Sequence, residues 1–210
     1  MKMSELSDRS CVSIASIKFY KREGLLPEAE HSSPNQAQYT EQHVRRLRLT
    51  KALIEVGGLS VASVRLVFEA VDADIPLDWV FGVAQQAIPR SMEASPAAQP
   101  GRGAADVAAL AADRGWHLDD ANPGIAMATR VIDSYVELQH EELLAVLPVY
   151  AAAAELVAEA DLAAVLTLTE RDSMAETVVV GTVLGDTLFA GLRRMAQENR
   201  SHQIAGGTAP

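Results

Sequence analysis

The 210-residue chain carries 28 acids against 18 lysines and arginines, a formal charge of −10, and is 49% hydrophobic but only 5% aromatic. That length leaves one large domain or two small ones open, and the alanine-rich composition predicts helices packed through small residues. One cysteine, Cys11, excludes an internal disulfide or a several-thiolate metal site.

The five histidines show no ligand spacing, and QHEEL at 139–143 lacks the second histidine of an H-E-x-x-H site, so neither a metal nor a cofactor is expected. No paired carboxylates, nucleophile motif or phosphate loop stands out, and an enzyme is not expected. There is no uninterrupted run of eighteen apolar residues and no apolar core in the first ten, which predicts neither a membrane span nor a secretion signal. The expected location is the cytoplasm, on the nucleoid.

Charge is unevenly placed. Residues 1–51 hold nine lysines and arginines against six acids, a net of +3, whereas the remainder holds nine against twenty-two, a net of −13. A basic head on an acidic body suits a protein that takes nucleic acid at one end; a +3 segment also arises from ordinary surface variation, so the split supports a DNA reading without making one.

In chain order, SELSDRS predicts a first short helix ending near Ser10-Cys11, and Ser13 is placed to cap a second. The helical period puts Ile14, Ile17 and Tyr20 on one side, with Ile17 facing Leu6. Ala15, Lys18, Phe19 and Arg22 lie opposite, with Ser16 at the edge, and Gly24 ends the helix. Residues 28–40 read as a two-stranded hairpin with a loose Ser-Pro-Asn tip. Thr40 then caps a helix with Val44, Leu47 and Ile54 as its core face, stopped by Gly57-Gly58. Ser60 caps another, striped by Val61, Val64, Val67, Phe68 and Val71.

The signature V-S-x-x-S-I-K-F-Y-x-R-E-G-L-L-P at Val12–Pro27, Tyr39 before the third helix, Arg46-Leu47 within it and G-L-S-V at Gly58–Val61 occur together and in order. Over about the first 72 residues the chain resembles the N-terminal domain of MerR-family transcription regulators. The resemblance implies a winged helix-turn-helix that binds double-stranded DNA as a homodimer, works with RNA polymerase and distorts a promoter to realign its separated elements. It departs from the family pattern at Cys11, where a turn glycine is usual, and at Asn35-Gln36-Ala37-Gln38, where Gly-Tyr-Arg is usual in the wing. It departs again at His43, where an acid is common, and at Gly57-Gly58, which looks one residue long.

A solvated helix face rarely places an aromatic between two cations. Ala15, Lys18, Phe19 and Arg22 therefore read as a major-groove set, cations toward phosphate or guanine and Phe19 and Ala15 toward thymine methyls. Ser13, Ser16, Tyr20, Gln38, Tyr39, Arg45 and Arg46 complete the candidate DNA contacts, although Arg46 has the alternative of pairing with an acid inside the domain.

Beyond residue 74, prolines at 76, 89, 96 and 100 interrupt any long helix. Residues 75–103 read as one short helix and a flexible linker, 104–203 as an all-helical domain for dimerisation and effector binding, and 204–210 as a disordered tail. Asn122-Pro123 opens one helix of that domain and Pro148 kinks or begins another. The last runs from Arg171 toward Arg200.

In that last helix Val178, Gly181, Gly185, Leu188 and Leu192 form either an internal packing face or a dimer seam. Trp79, Trp116, Tyr135 and Tyr150 are candidates for lining an effector pocket, with Asp133 or Glu137 to meet a cationic ligand, or else core aromatics and solvated charges. The fold class expected is mainly α: a winged helix-turn-helix with a small two-stranded wing, followed by a helical bundle. The function expected is an effector-modulated regulator acting as a homodimer on a palindromic promoter site. The alternative is a ligand-sequestering resistance protein that retains a MerR-like head.

Overall fold

The computed structural model describes residues 1–33, 36–73, 75–88 and 101–204. Its elements are α1 (Met3–Ser10), α2 (Ile14–Arg22), β1 (Glu30–Ser33), β2 (Gln36–Gln38), α3 (Glu41–Glu55), α4 (Val61–Asp72), α5 (Leu77–Ala87), α6 (Arg102–Arg114), α7 (Pro123–Glu137), a 3-10 turn (Glu141–Val146), α8 (Leu147–Leu166) and α9 (Arg171–Ile204). The mainly helical fold with a small two-stranded wing is the one the sequence predicts. The strands pair antiparallel, with Glu30 opposite Gln38 and an irregularity between His31 and Ser33.

The elements sort into two compact units, residues 1–89 with 171–210, and residues 90–170. This differs from the expected boundaries at 74 and 103: α5 and α9 pack with the head, α5 against both α4 and α9, and α9 against α3 as well. A contact across nearly a hundred residues has no local signal, which is why a boundary drawn from composition misses it. The linker at 89–100 and the tail at 205–210 lie outside the described residues; Ile204, assigned to the tail, closes α9.

The head's first core is made by Leu6, Val12, Ile17, Ala29, Tyr39, Val44 and Leu47. Burying each large aliphatic among them is worth about 1.5–3 kcal/mol, so Leu6 against Ile17 sets how α1 and α2 cross. Ile14 is exposed, against expectation, because it sits one turn before the point where α2 meets α1. On α3 the buried residue is Leu53 rather than Ile54, one position round the helix, because α9 covers that end. The second core joins Val64, Val67, Phe68 and Val71 of α4 to Val80 and Ala84 of α5 and to Ala175, Val178, Val179 and Val183 of α9.

Gly57 explains the glycine pair. A Cβ there would collide with the Val183 side chain and with the Leu53 carbonyl, so the glycine admits α9, while Gly58 turns the chain at φ +68°.

In the second unit α6 packs on α7. The Gly103 N–H donates to Asp133 Oδ1 at 2.7 Å, satisfying a donor in the first turn of α6. Asp133 is thus committed to a helix end rather than to a cationic ligand. Asn122 caps α7 by accepting from the Gly124 N–H, and Pro148 lies in the first turn of α8, beginning that helix rather than kinking one. By length and composition Glu141–Leu166 and α9 are each long and apolar enough to cross a membrane, which a search for uninterrupted apolar runs does not register. The first half of α9 spends its valines on the core just described.

Candidate nucleic-acid interface

The turn between α1 and α2 is fixed from several sides. Cys11 takes a left-handed conformation, φ 55° and ψ 37°, which accounts for the glycine expected there. Its Sγ is exposed and lies 3.8 Å from the Asp8 carbonyl. Ser7 Oγ donates to the Val12 carbonyl at 2.7 Å and Ser10 Oγ to the Leu6 carbonyl at 2.7 Å. Ser13 caps α2, its Oγ accepting from the Ser16 N–H at 3.1 Å and lying 2.9 Å from Ser16 Oγ. Both serines named as DNA contacts are therefore engaged with each other at the start of the helix.

From that start, α2 presents Ala15, Lys18, Phe19 and Arg22 to solvent. Phe19 is 38% exposed, and the Arg22 guanidinium lies 6.0 Å from its ring centre. Tyr20 is half-buried against the head core, 5.7 Å ring to ring from Phe19. Burial, with a smaller contribution from Glu55, pushes the Tyr20 phenol above its ordinary pKa, keeping it neutral.

The nine basic side chains of residues 1–51 divide by what they touch. Arg9 forms a bidentate pair with Glu41. Arg46 pairs with Asp72 and stacks 4.0 Å over the Phe68 ring. Arg48 donates to the Arg9 carbonyl at 2.7 Å, and Lys51 to the Cys11 carbonyl at 3.1 Å. These last two satisfy carbonyls at the C-terminal end of α1, where cations are also favoured by the helix dipole. Among the described side chains Lys2, Lys18, Lys21, Arg22 and Arg45 make no ion pair with an acid. Two of these five, Lys18 and Arg22, flank Phe19.

Two candidate contacts have partners inside the head. Arg46 takes the internal alternative, held by Asp72 and Phe68. Tyr39 is 5% exposed inside the head core, its ring edge-on to His43 at 5.3 Å, and burial raises its pKa. Its aromatic bulk supports the wing's base instead of facing outward. Gln38 is half-buried, its side-chain oxygen accepting from the Met1 amine at 3.4 Å, while Arg45 is exposed on α3. His43, the departure from an acidic residue, caps α3 as an acid there would. The Thr40 N–H donates to His43 Nδ1 at 3.1 Å, and the Thr40 side chain accepts in return from the backbone N–H of His43.

The remaining candidates are divided between the two units. Trp79 is 67% exposed on α5, while Trp116, Tyr135 and Tyr150 belong to the second unit, where Trp116 alone of the four lines its cavity. Val178 is 1% exposed and belongs to the head's second core, which removes it from a surface seam. Gly181 and Gly185 have open space beyond their Cα atoms, and Leu188 and Leu192 are 63% and 52% exposed. No group of three or more His, Cys, Asp or Glu able to hold a metal occurs among the described residues.

Residues 1–71 match the family described as MerR HTH family regulatory protein. A candidate transcriptional regulator, SCO5550 of Streptomyces coelicolor A3(2), is similar in crystal structure across 100% of both chains, at 30% identity and a TM-score of 0.72. The chain belongs to the MerR family. It is also 36% identical over 56 residues to the mercuric resistance operon regulatory protein of Bacillus cereus, a match spanning 27% of this chain and 42% of that protein. The winged helix-turn-helix is accordingly the DNA-binding part of a MerR-family regulator. The residues that sequence reasoning missed are Arg48 and Lys51, whose role in bracing the turn depends on a separation of about forty residues, and Gly57.

Proposed function

We propose that the protein is a homodimeric transcriptional regulator that reads a palindromic promoter site with α2 and answers to a small-molecule effector. The observation that carries this reading is the sorting of cations: Arg9, Arg46, Arg48 and Lys51 are paired with acids or spent on carbonyls, while Lys18 and Arg22 stand at an exposed Phe19. Such a face supplies phosphate or guanine contacts from the cations and a thymine-methyl contact from the ring.

A dimer is required because a single recognition helix reads too few base pairs, and a two-fold pair reads half-sites one or two helical turns apart. Gly181, Gly185, Leu188, Leu192 and Met195 recur at alternating spacings of four and three along α9, the spacing of a coiled-coil seam. That stripe supports dimerisation through the outer half of α9. Promoter distortion, recruitment of RNA polymerase and a cytoplasmic, nucleoid location follow from the family reading. Bending has an elastic cost offset by protein contacts, so a small change in dimer geometry shifts the balance.

The test is footprinting on the DNA upstream of the protein's own gene, with mass measurement of the free protein. A protected palindrome and a dimeric mass are expected. No protection at moderate salt would overturn the reading, and tight ligand binding that leaves DNA affinity unchanged would favour the sequestering alternative.

A further inference from the structure

The second unit contains an apolar cavity of about 230 Å³. Its walls are Val107 and Leu110 of α6, Trp116, Ile125 and Ile132 of α7, and Leu147 at the start of α8. No acidic, basic or histidine side chain lines it. The turn at Gly115, φ +67°, brings Trp116 off the end of α6. There the indole Nε1–H donates to Glu155 Oε1 at 2.9 Å, while Glu155 Oε2 accepts from Arg114 Nη1 at 3.0 Å and Arg114 Nη2 donates to the Pro148 carbonyl at 2.7 Å.

This network holds the ring in place and commits its polar atom, so the surface it gives the cavity is aromatic carbon. Arg114 and Glu155, the charges bound into this network, are paired with each other. Asn122 is the other polar lining residue; its Oδ1 accepts from the Gly124 N–H at 2.8 Å, which leaves its amide NH₂ as the donor this residue can offer a guest.

We infer that this cavity is a binding site for a small uncharged molecule of about two fused aromatic rings bearing at most one hydrogen-bond acceptor. An apolar cavity of about 150 Å³ takes benzene, so the larger volume here admits a second ring. A charged guest would leave water for walls without a partner, which is strongly unfavourable. A ring acceptor is matched by Asn122. The site deepens the effector reading above and rests on that reading only for its coupling to DNA.

Quinoline and the N-methylquinolinium cation, alike in size and different in charge, are titrated calorimetrically into the full-length protein. Saturable binding of one quinoline per chain is expected, with the cation at least tenfold weaker. The chain's two tryptophans, Trp79 and Trp116, give two indole N–H signals in a ¹⁵N–¹H spectrum. Quinoline is expected to move the one that Trp116→Phe deletes and to leave the other unmoved.

Ala111→Phe and, separately, Leu110→Phe fill the space and are expected to lower affinity more than tenfold with helical circular dichroism retained. No saturable binding, equal affinity for the cation, or a response at Trp79 alone would overturn the inference. A protein that footprints its DNA but takes no quinoline loses the cavity and keeps the regulator reading; one that takes quinoline but protects no DNA does the reverse.

Discussion

Replacing Arg22 with glutamine removes, in each head, a cation that no described acid pairs; replacing Arg48 with glutamine removes one already spent on the Arg9 carbonyl. The two substitutions are alike in charge and helix propensity, so their contrast isolates position. Each phosphate neutralised adds roughly 0.9 to the slope of log affinity against log salt. With one Arg22 contact per head, Arg22→Gln in a dimer is expected to reduce the slope by about 1.8. Over the fourfold change from 50 to 200 mM salt, affinity of the unaltered protein should then fall roughly twelvefold more than that of the variant.

Arg48→Gln is expected to leave the slope unchanged and to lower the melting temperature instead, because a carbonyl at the end of α1 loses its donor. Fluorescence anisotropy with an upstream DNA duplex at several salt concentrations, beside thermal unfolding, measures both. Equal slopes for Arg22→Gln and the unaltered protein, or a slope loss for Arg48→Gln as large as for Arg22→Gln, would refute the division of cations into outward and structural sets.

Gly57→Ala should destabilise the head unit by about 1–3 kcal/mol, an overpacking cost, seen as a lower denaturant midpoint, since the new methyl meets both Val183 and a backbone carbonyl. Leu192→Glu should leave unfolding nearly unchanged while shifting the sedimentation mass from dimer to monomer, whereas Val178→Ala should do the opposite, because one side chain is exposed and the other is in the core. Cys11→Gly should raise stability by roughly 1 kcal/mol by relieving a left-handed non-glycine residue, seen as a higher denaturant midpoint. Burial raises the pKa of both Tyr20 and Tyr39, so the fold holds them protonated while the unfolded chain ionises near pH 10. Their contribution is therefore complete below that pH and lost as pH rises through the folded values. Urea unfolding at a series of alkaline pH values should show a decline that Tyr39→Phe makes shallower.

What was legible in the chain was local. The end of α1 near Ser10-Cys11, the Ser13 cap and the start of α7 at Asn122 each depend on residues a few positions apart, and each is found where the sequence places it. The period of α2 identified Lys18, Phe19 and Arg22 as outward-facing for the same reason. Most of the misreadings are long-range. Tyr39 reads as a candidate DNA contact, yet it packs in the core with Leu6, Ile17 and Val44. Arg46 lies on a basic run, but Asp72 and Phe68, more than twenty residues later, claim it. Val178 and Leu188 share one stripe in sequence, and only the return of α9 onto α4 and α5 separates a core residue from a surface one.

That return also explains how a seam on α9 can govern the reading head. The Arg171 guanidinium donates to the Ile75 carbonyl at the start of the helix, and Val178, Val179 and Val183 lie buried along its first half. Val183 sits where Gly57 leaves no room for a side chain, at the end of α3. Since α3 also supplies Lys51 to the turn ahead of α2, contiguous packing runs from α9 to the cap of the recognition helix within one unit. A helix of 34 residues extends about 50 Å, so a small rotation at its exposed leucines becomes a displacement of the head it anchors. In the proposed dimer, two heads held this way would set the spacing of their recognition helices through α9, and half-site spacing is the quantity to which a palindromic reader is most sensitive. A single glycine inserted after Gly185 would rotate Leu188 and Leu192 by about 100° while leaving the buried Ala175, Val178, Val179 and Val183 in place on the head. The expected result is a folded head that melts as before but no longer protects both half-sites, and retention of the full footprint would show that the spacing is set elsewhere.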